Sequence, residues 1–99
     1  MFQNLQRLLS RFWTIKKIDE ISSIERIGRD EYRYVEGDHV LTLEIEMLSG
    51  SPRRLIYSRT IKKWLPPHDN EVITDEKRKH ILEKICKHFE INRVSYMVQ

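Results

Sequence analysis

The segment His39–Leu48 constrains this chain more than any other. Leu41, Leu43, Ile45 and Met47 alternate with Thr42, Glu44 and Glu46. Apolar side chains at every second position predict a β-strand with one face buried and the other in water. The neighbouring segments extend the pattern. Tyr32-Arg33-Tyr34-Val35 is aromatic and β-branched, which suits a pleated surface, and Glu36-Gly37-Asp38 supplies turn chemistry with Gly37 free to take positive φ. Ser49-Gly50-Ser51-Pro52 is a second turn. Arg53–Arg59 reads as the next strand, with Leu55 and Tyr57 on one face and Ile56 on the other. The connections are too short for crossovers, so these strands form an antiparallel meander. Ile24–Ile27 is a weaker strand candidate, and Val94, Tyr96 and Val98 alternate as a short last strand.

Helical spacing appears at both ends. Thr74 is a good N-cap, and Asp75 and Glu76 place negative charge where the helix dipole favours it. The helix runs to about Glu90, with Ile81, Leu82, Ile85, Cys86 and Phe89 in one apolar stripe and Asn92 beyond its end. Near the start, Phe2, Leu5, Leu9 and Phe12 predict an amphipathic helix over residues 2–13. Ile15, Ile18 and Ile21 keep the spacing, so the helix is expected to end near Asp19–Ser22. The fold class is therefore α+β: an antiparallel sheet of about four strands packed against a C-terminal helix, with an additional N-terminal helix. Residues 1–22 read as a helical extension and residues 23–99 as the α+β domain. Trp13 adds to the apolar surface of the extension, which is expected to pack on the sheet or, failing that, to make a dimer contact, so the chain is a monomer or a homodimer.

A chain of 99 residues has room for one domain and no deep, self-contained cofactor cavity. Its single cysteine, Cys86, forms no internal disulfide, and this points to the cytoplasm. Neither a continuous apolar run of membrane-spanning length nor a secretory signal is present. The net charge of +3 is concentrated in residues 53–65, where Arg53, Arg54, Arg59, Lys62 and Lys63 occur without an acid. These five residues, with Tyr57 and Trp64 as stacking faces, form the alternative reading of a small nucleic-acid-binding domain. Protection of an edge strand explains the same charges without a nucleic acid.

Catalytic constellations are missing from the sequence. His39, His68, His80 and His88 include no pair three or four residues apart, so no helix face presents two metal ligands. Cys86 lies on an apolar stripe, where a thiol is inert, and His88 sits elsewhere on the helix surface. Glu44 and Glu46 share a strand face, but a solvated outer face explains them without acid–base chemistry. No catalytic residue, metal ligand or cofactor is expected.

Trp64-Leu65-Pro66-Pro67-His68-Asp69 joins the strands to the C-terminal helix. Prolines after a tryptophan pack on the indole and fix the chain path. Arg78, in the helix's first turn, is placed to stack on Trp64. The stretch Leu55–Glu71, followed by Thr74-Asp75-Glu76-Lys77 and an amphipathic helix, resembles the bacterial immunity protein 74 family, and the resemblance covers roughly residues 25–98. The residues matching its motif are Trp64, Pro66, Pro67, His68 and Asp69.

The resemblance implies a cytoplasmic, non-enzymatic antidote of a polymorphic toxin system, which binds its cognate protein toxin and blocks it sterically. Its contact surface would be an exposed sheet face or edge together with the loop after Trp64. Tyr57, Arg59, Glu44 and Glu46 join the motif residues as partner-binding candidates, and Tyr34 joins Trp64, Tyr57 and Arg59 as a candidate hot spot. Antidotes of nucleases are often acidic, and the net charge here is positive. Either the target is not a basic nuclease, or an acidic face of Glu36, Asp38, Glu44 and Glu46 acts locally.

Overall fold

The computed structural model describes residues 15–99. The alternating segment forms β4, His39–Met47, at the centre of a six-stranded sheet of order β1-β2-β3-β4-β5-β6. The other strands are β1 Ile15–Lys17, β2 Ser22–Arg26, β3 Glu31–Glu36, β5 Arg54–Ile56 and β6 Tyr96–Val98. Strands β1 to β5 form the antiparallel meander, and Gly37, at φ 61°, makes the turn into β4. A short 3₁₀ turn, Ser58–Thr60, follows β5.

The expected sheet is corrected in two ways. Among the described residues it has six strands rather than about four, and it is mixed, because β6 lies parallel to β5. A parallel neighbour needs a long connection, and the 3₁₀ turn, the Trp64 loop and the C-terminal helix supply it. The helix expected to continue to Asp19–Ser22 is replaced by β1 and a turn, in which Asp19 Oδ1 accepts from the backbone of Ile21 at 3.0 Å and of Ser22 at 2.7 Å. Isoleucine is β-branched and favours a strand once a partner strand is at hand. The helix over residues 2–13 lies outside the described residues.

Helix α1, Asp75–Ile91, begins where the cap predicts: the Thr74 side chain accepts from the backbone of Lys77. It buries Ile81, Ile85 and Phe89 against one sheet face, represented by Ile24, Tyr34, Leu41, Leu43, Ile45 and Ile56. Ile61, Trp64 and Ile73 complete this core from the loop between β5 and α1. The alternate strand residues Glu31, Arg33 and Glu44 are exposed on the opposite face. No helix among the described residues is long and apolar enough to cross a membrane.

Candidate functional site

Beyond β5 the chain continues, on both sides of the 3₁₀ turn, along the edge of the first half of β4. Tyr57 N donates to Glu44 O at 3.1 Å, and Leu65 N donates to Val40 O at 2.7 Å. This path places the loop after Trp64 beside the β3–β4 turn. Trp64 is 4% exposed and belongs to the core, so its ring is not a contact surface. Its edge-to-face partner is His39, with centroids 5.0 Å apart. The stacking expected from Arg78 gives way to other bonds: Arg78 Nε donates to Ile61 O at 2.9 Å, and its guanidinium pairs with Asp75. The carbonyl of Ile61, just after the 3₁₀ turn, wins over the indole face because a charge-assisted bond outweighs a cation–π contact.

His39 and His68 stack above the tryptophan, with centroids 3.7 Å apart and planes 13° apart. Two carboxylates bracket the rings. Asp38 Oδ1 lies 2.9 Å from His39 Nδ1, and its Oδ2 lies 3.3 Å from His68 Nε2. Glu71 Oε1 lies 2.9 Å from His39 Nε2, and its Oε2 lies 2.7 Å from His68 Nδ1. The bond from Glu71, then that from Asp38, raises the pKa of His39 above its ordinary value against partial desolvation. His39 in turn holds the carboxyls of Asp38 and Glu71 below theirs. Asp69, the acid singled out from the motif, is exposed, and Glu71 takes the bridging position. Spacing along one helix could not reveal this cluster. The available signal was an acid beside each histidine, at a strand start and after a proline pair.

A second grouping lies on the sheet face opposite α1. Glu31 and Glu44 are directly opposite each other in the β3–β4 ladder, and both are exposed. With Asp30, Thr42, Thr60 and Lys62 they line a shallow open groove. Beside it, the Tyr57 hydroxyl donates to Glu46 Oε1 at 2.7 Å, and this bond raises the tyrosine pKa. On the same face Glu25 opposes Arg33 and pairs with it at 3.1 Å, so that part is neutralised. Among the described residues, no ion pair neutralises Asp30, Glu31 or Glu44.

The acids expected to share one face are divided. Glu36 points to the helix side, where it accepts from Tyr34 Oη at 2.6 Å and pairs with Lys77 and Lys84. Asp38 belongs to the histidine cluster, and Glu44 and Glu46 face outward. Tyr34 is wholly buried, so it presents no hot spot. The basic residues diverge as well. Arg54 turns to the Tyr32 hydroxyl on the helix side of the sheet, whereas Lys62 lines the acidic groove. Arg53, Arg59 and Lys63 are exposed. Cys86 sits half-buried on α1, and burial pushes its thiol pKa up.

The sequence model of the family described as Immunity protein 74 matches residues 24–99. No curated protein matches the chain, and no solved structure does.

Proposed function

This chain belongs to the immunity protein 74 family, and from that premise we propose that it is a non-enzymatic antidote that binds and neutralises a cognate bacterial protein toxin in the cytoplasm. The observation that most favours a partner surface is the Glu31–Glu44 pair on the sheet face opposite α1, where both side chains are exposed among the described residues. Like charges directly opposite in a ladder destabilise a sheet. A basic surface of a partner relieves that repulsion and gains complementarity. Tyr57, Glu46 and Arg59 border this face, and the exposed Leu65, Pro66 and Pro67 extend the surface around the edge of the sheet. Trp64 supports the loop from below and does not touch the partner.

The raised thiol pKa of Cys86 favours the unreactive thiol form. The nucleic-acid reading has no comparable support, because Arg54 and Lys62 lie in different surroundings.

Co-expression with the product of the adjacent gene tests the antidote role. Growth rescue and a co-purifying complex are expected. Glu31→Lys with Glu44→Lys should weaken that complex by at least about tenfold, the effect of roughly 1.4 kcal/mol. A folded wild-type chain that neither rescues growth nor binds would sink the proposal.

A further inference from the structure

Asp38, His39 and His68 carry a chemistry that the antidote role does not use. One ligand atom from each lies within 4.8 Å of the others. The contacts divide into two sides. On one side, Glu71 faces His39 Nε2 at 2.9 Å and His68 Nδ1 at 2.7 Å. On the other, Asp38 faces His39 Nδ1 at 2.9 Å and His68 Nε2 at 3.3 Å.

A carboxylate only accepts hydrogen bonds, and a neutral imidazole carries one N–H and one lone pair. When Glu71 takes the N–H of each neutral ring, His39 Nδ1 and His68 Nε2 direct lone pairs toward Asp38. Three acceptors then converge with no donor between them. Either a proton on one ring or a metal cation resolves this arrangement, and a metal binds there by displacing the proton. We propose that Asp38, His39 and His68 bind a divalent transition metal of the zinc class, with Glu71 as the outer carboxylate that orients both imidazoles.

The donor set fits that class. Two imidazole nitrogens and one carboxylate oxygen suit Zn²⁺ and its neighbours rather than Mg²⁺ or Ca²⁺, which prefer oxygen. Zinc bonds of about 2.0–2.2 Å place tetrahedral donor atoms about 3.3 Å apart, close to the spacing across Asp38. Histidine ligands ordinarily give their second nitrogen to a carboxylate, as Glu71 allows here. The stacked rings must separate on binding, because an imidazole lone pair lies in the ring plane. His68 can turn, since it stands on a loop flanked by the exposed Pro67 and Asp69. His39 is held by the Trp64 edge. Three protein ligands leave a fourth position open.

The test is calorimetric titration of the untagged full chain, freed of metal by chelation, with Zn²⁺. Co²⁺ serves as a spectroscopic stand-in. One-to-one saturable binding is expected, with a visible Co²⁺ band of tetrahedral type, and an excess of Mg²⁺ should not compete. His68→Ala and Asp38→Asn should each abolish saturable binding while the melting transition remains cooperative. Glu71→Gln should weaken affinity about 10–100-fold without removing the band. His80→Ala should change nothing. No saturation at about millimolar Zn²⁺ would overturn the proposal. So would binding that survives both His68→Ala and Asp38→Asn, because the metal would then sit elsewhere. If His39→Ala fails to fold, the other two ligand variants decide the matter.

Discussion

Two charged clusters flank the β3–β4 turn, and they are built on different cations. Before the turn, Glu36 is held by Lys77, Lys84 and the Tyr34 hydroxyl, and Lys84 also reaches Ser22 Oγ at 3.0 Å and Asp19 at 3.1 Å. After the turn, Asp38 and Glu71 bracket two imidazoles. A lysine keeps its charge across the neutral range, whereas an imidazole exchanges its proton there and offers a lone pair in return. The first cluster therefore fastens the helix to the sheet, and Glu36 and Lys84 are mostly shielded from water. The second is open and exchangeable. Neighbouring residues of one hairpin thus divide between a shielded anchor held by lysine and an exposed cluster of imidazoles.

The sharpest challenge to this division is Trp64→Ala. Removing a core indole should cost about 3–5 kcal/mol in denaturant unfolding. A smaller cost, below about 1 kcal/mol, would mean that Trp64 serves the surface cluster and not the core.

Lys84→Met comes next. It leaves Asp19 and Glu36 with one cation fewer and Ser22 Oγ with the Tyr34 hydroxyl as its remaining donor, so a loss of about 1–3 kcal/mol is expected by the same measurement.

Acid titration probes the first cluster in another way. Burial alone would raise the carboxyl of Glu36, but Lys77, Tyr34 and Lys84 bring it below the ordinary value of 4.5. A depressed folded-state pKa contributes stability that is complete above the unfolded value and is lost as pH falls through the folded one. Glu36→Gln should therefore be less stable than wild type at neutral pH. The gap should narrow as pH is lowered through the ordinary glutamate value and on below it. A gap independent of pH would show that the charge of Glu36 is not what holds the helix.

The smallest effect belongs to the second cluster. His68→Ala in the presence of chelator should change stability by less than about 1 kcal/mol, as for exposed ion pairs. A loss as large as that of Lys84→Met would erase the distinction between the clusters.

Legibility in the sequence followed the range of the interactions. The Thr74 cap, the apolar stripe of α1, the alternation of β4 and the Gly37 turn are local, and each could be read from adjacent residues. Ile15, Ile18 and Ile21 misled because three-residue spacing fits a helix, while the pairing of Ile15 with Glu25 is settled by the partner strand. The parallel setting of β6 was hidden for a similar reason: its alternation says strand and nothing about direction. His39 and His68 meet only because Leu65 bonds to Val40, a contact between distant segments. The Glu31–Glu44 opposition likewise needed the register of β3 against β4.

The parallel closure of the sheet has a consequence for how the chain assembles. Strands β3 and β4 are joined by the two residues Gly37 and Asp38, so their pairing closes a minimal loop. Strand β6 pairs Tyr96 with Arg54 across the whole Trp64 loop and α1. Closing that loop has a greater entropic cost, and only a docked helix brings the two strands within reach. The meander should gather first, and β6 should join last. Native-state amide exchange would reveal this as earlier opening of Ile56–Gln99 than of Tyr34–Leu41. Equal protection at both places would instead mark the sheet as one cooperative unit, sealed by its last strand.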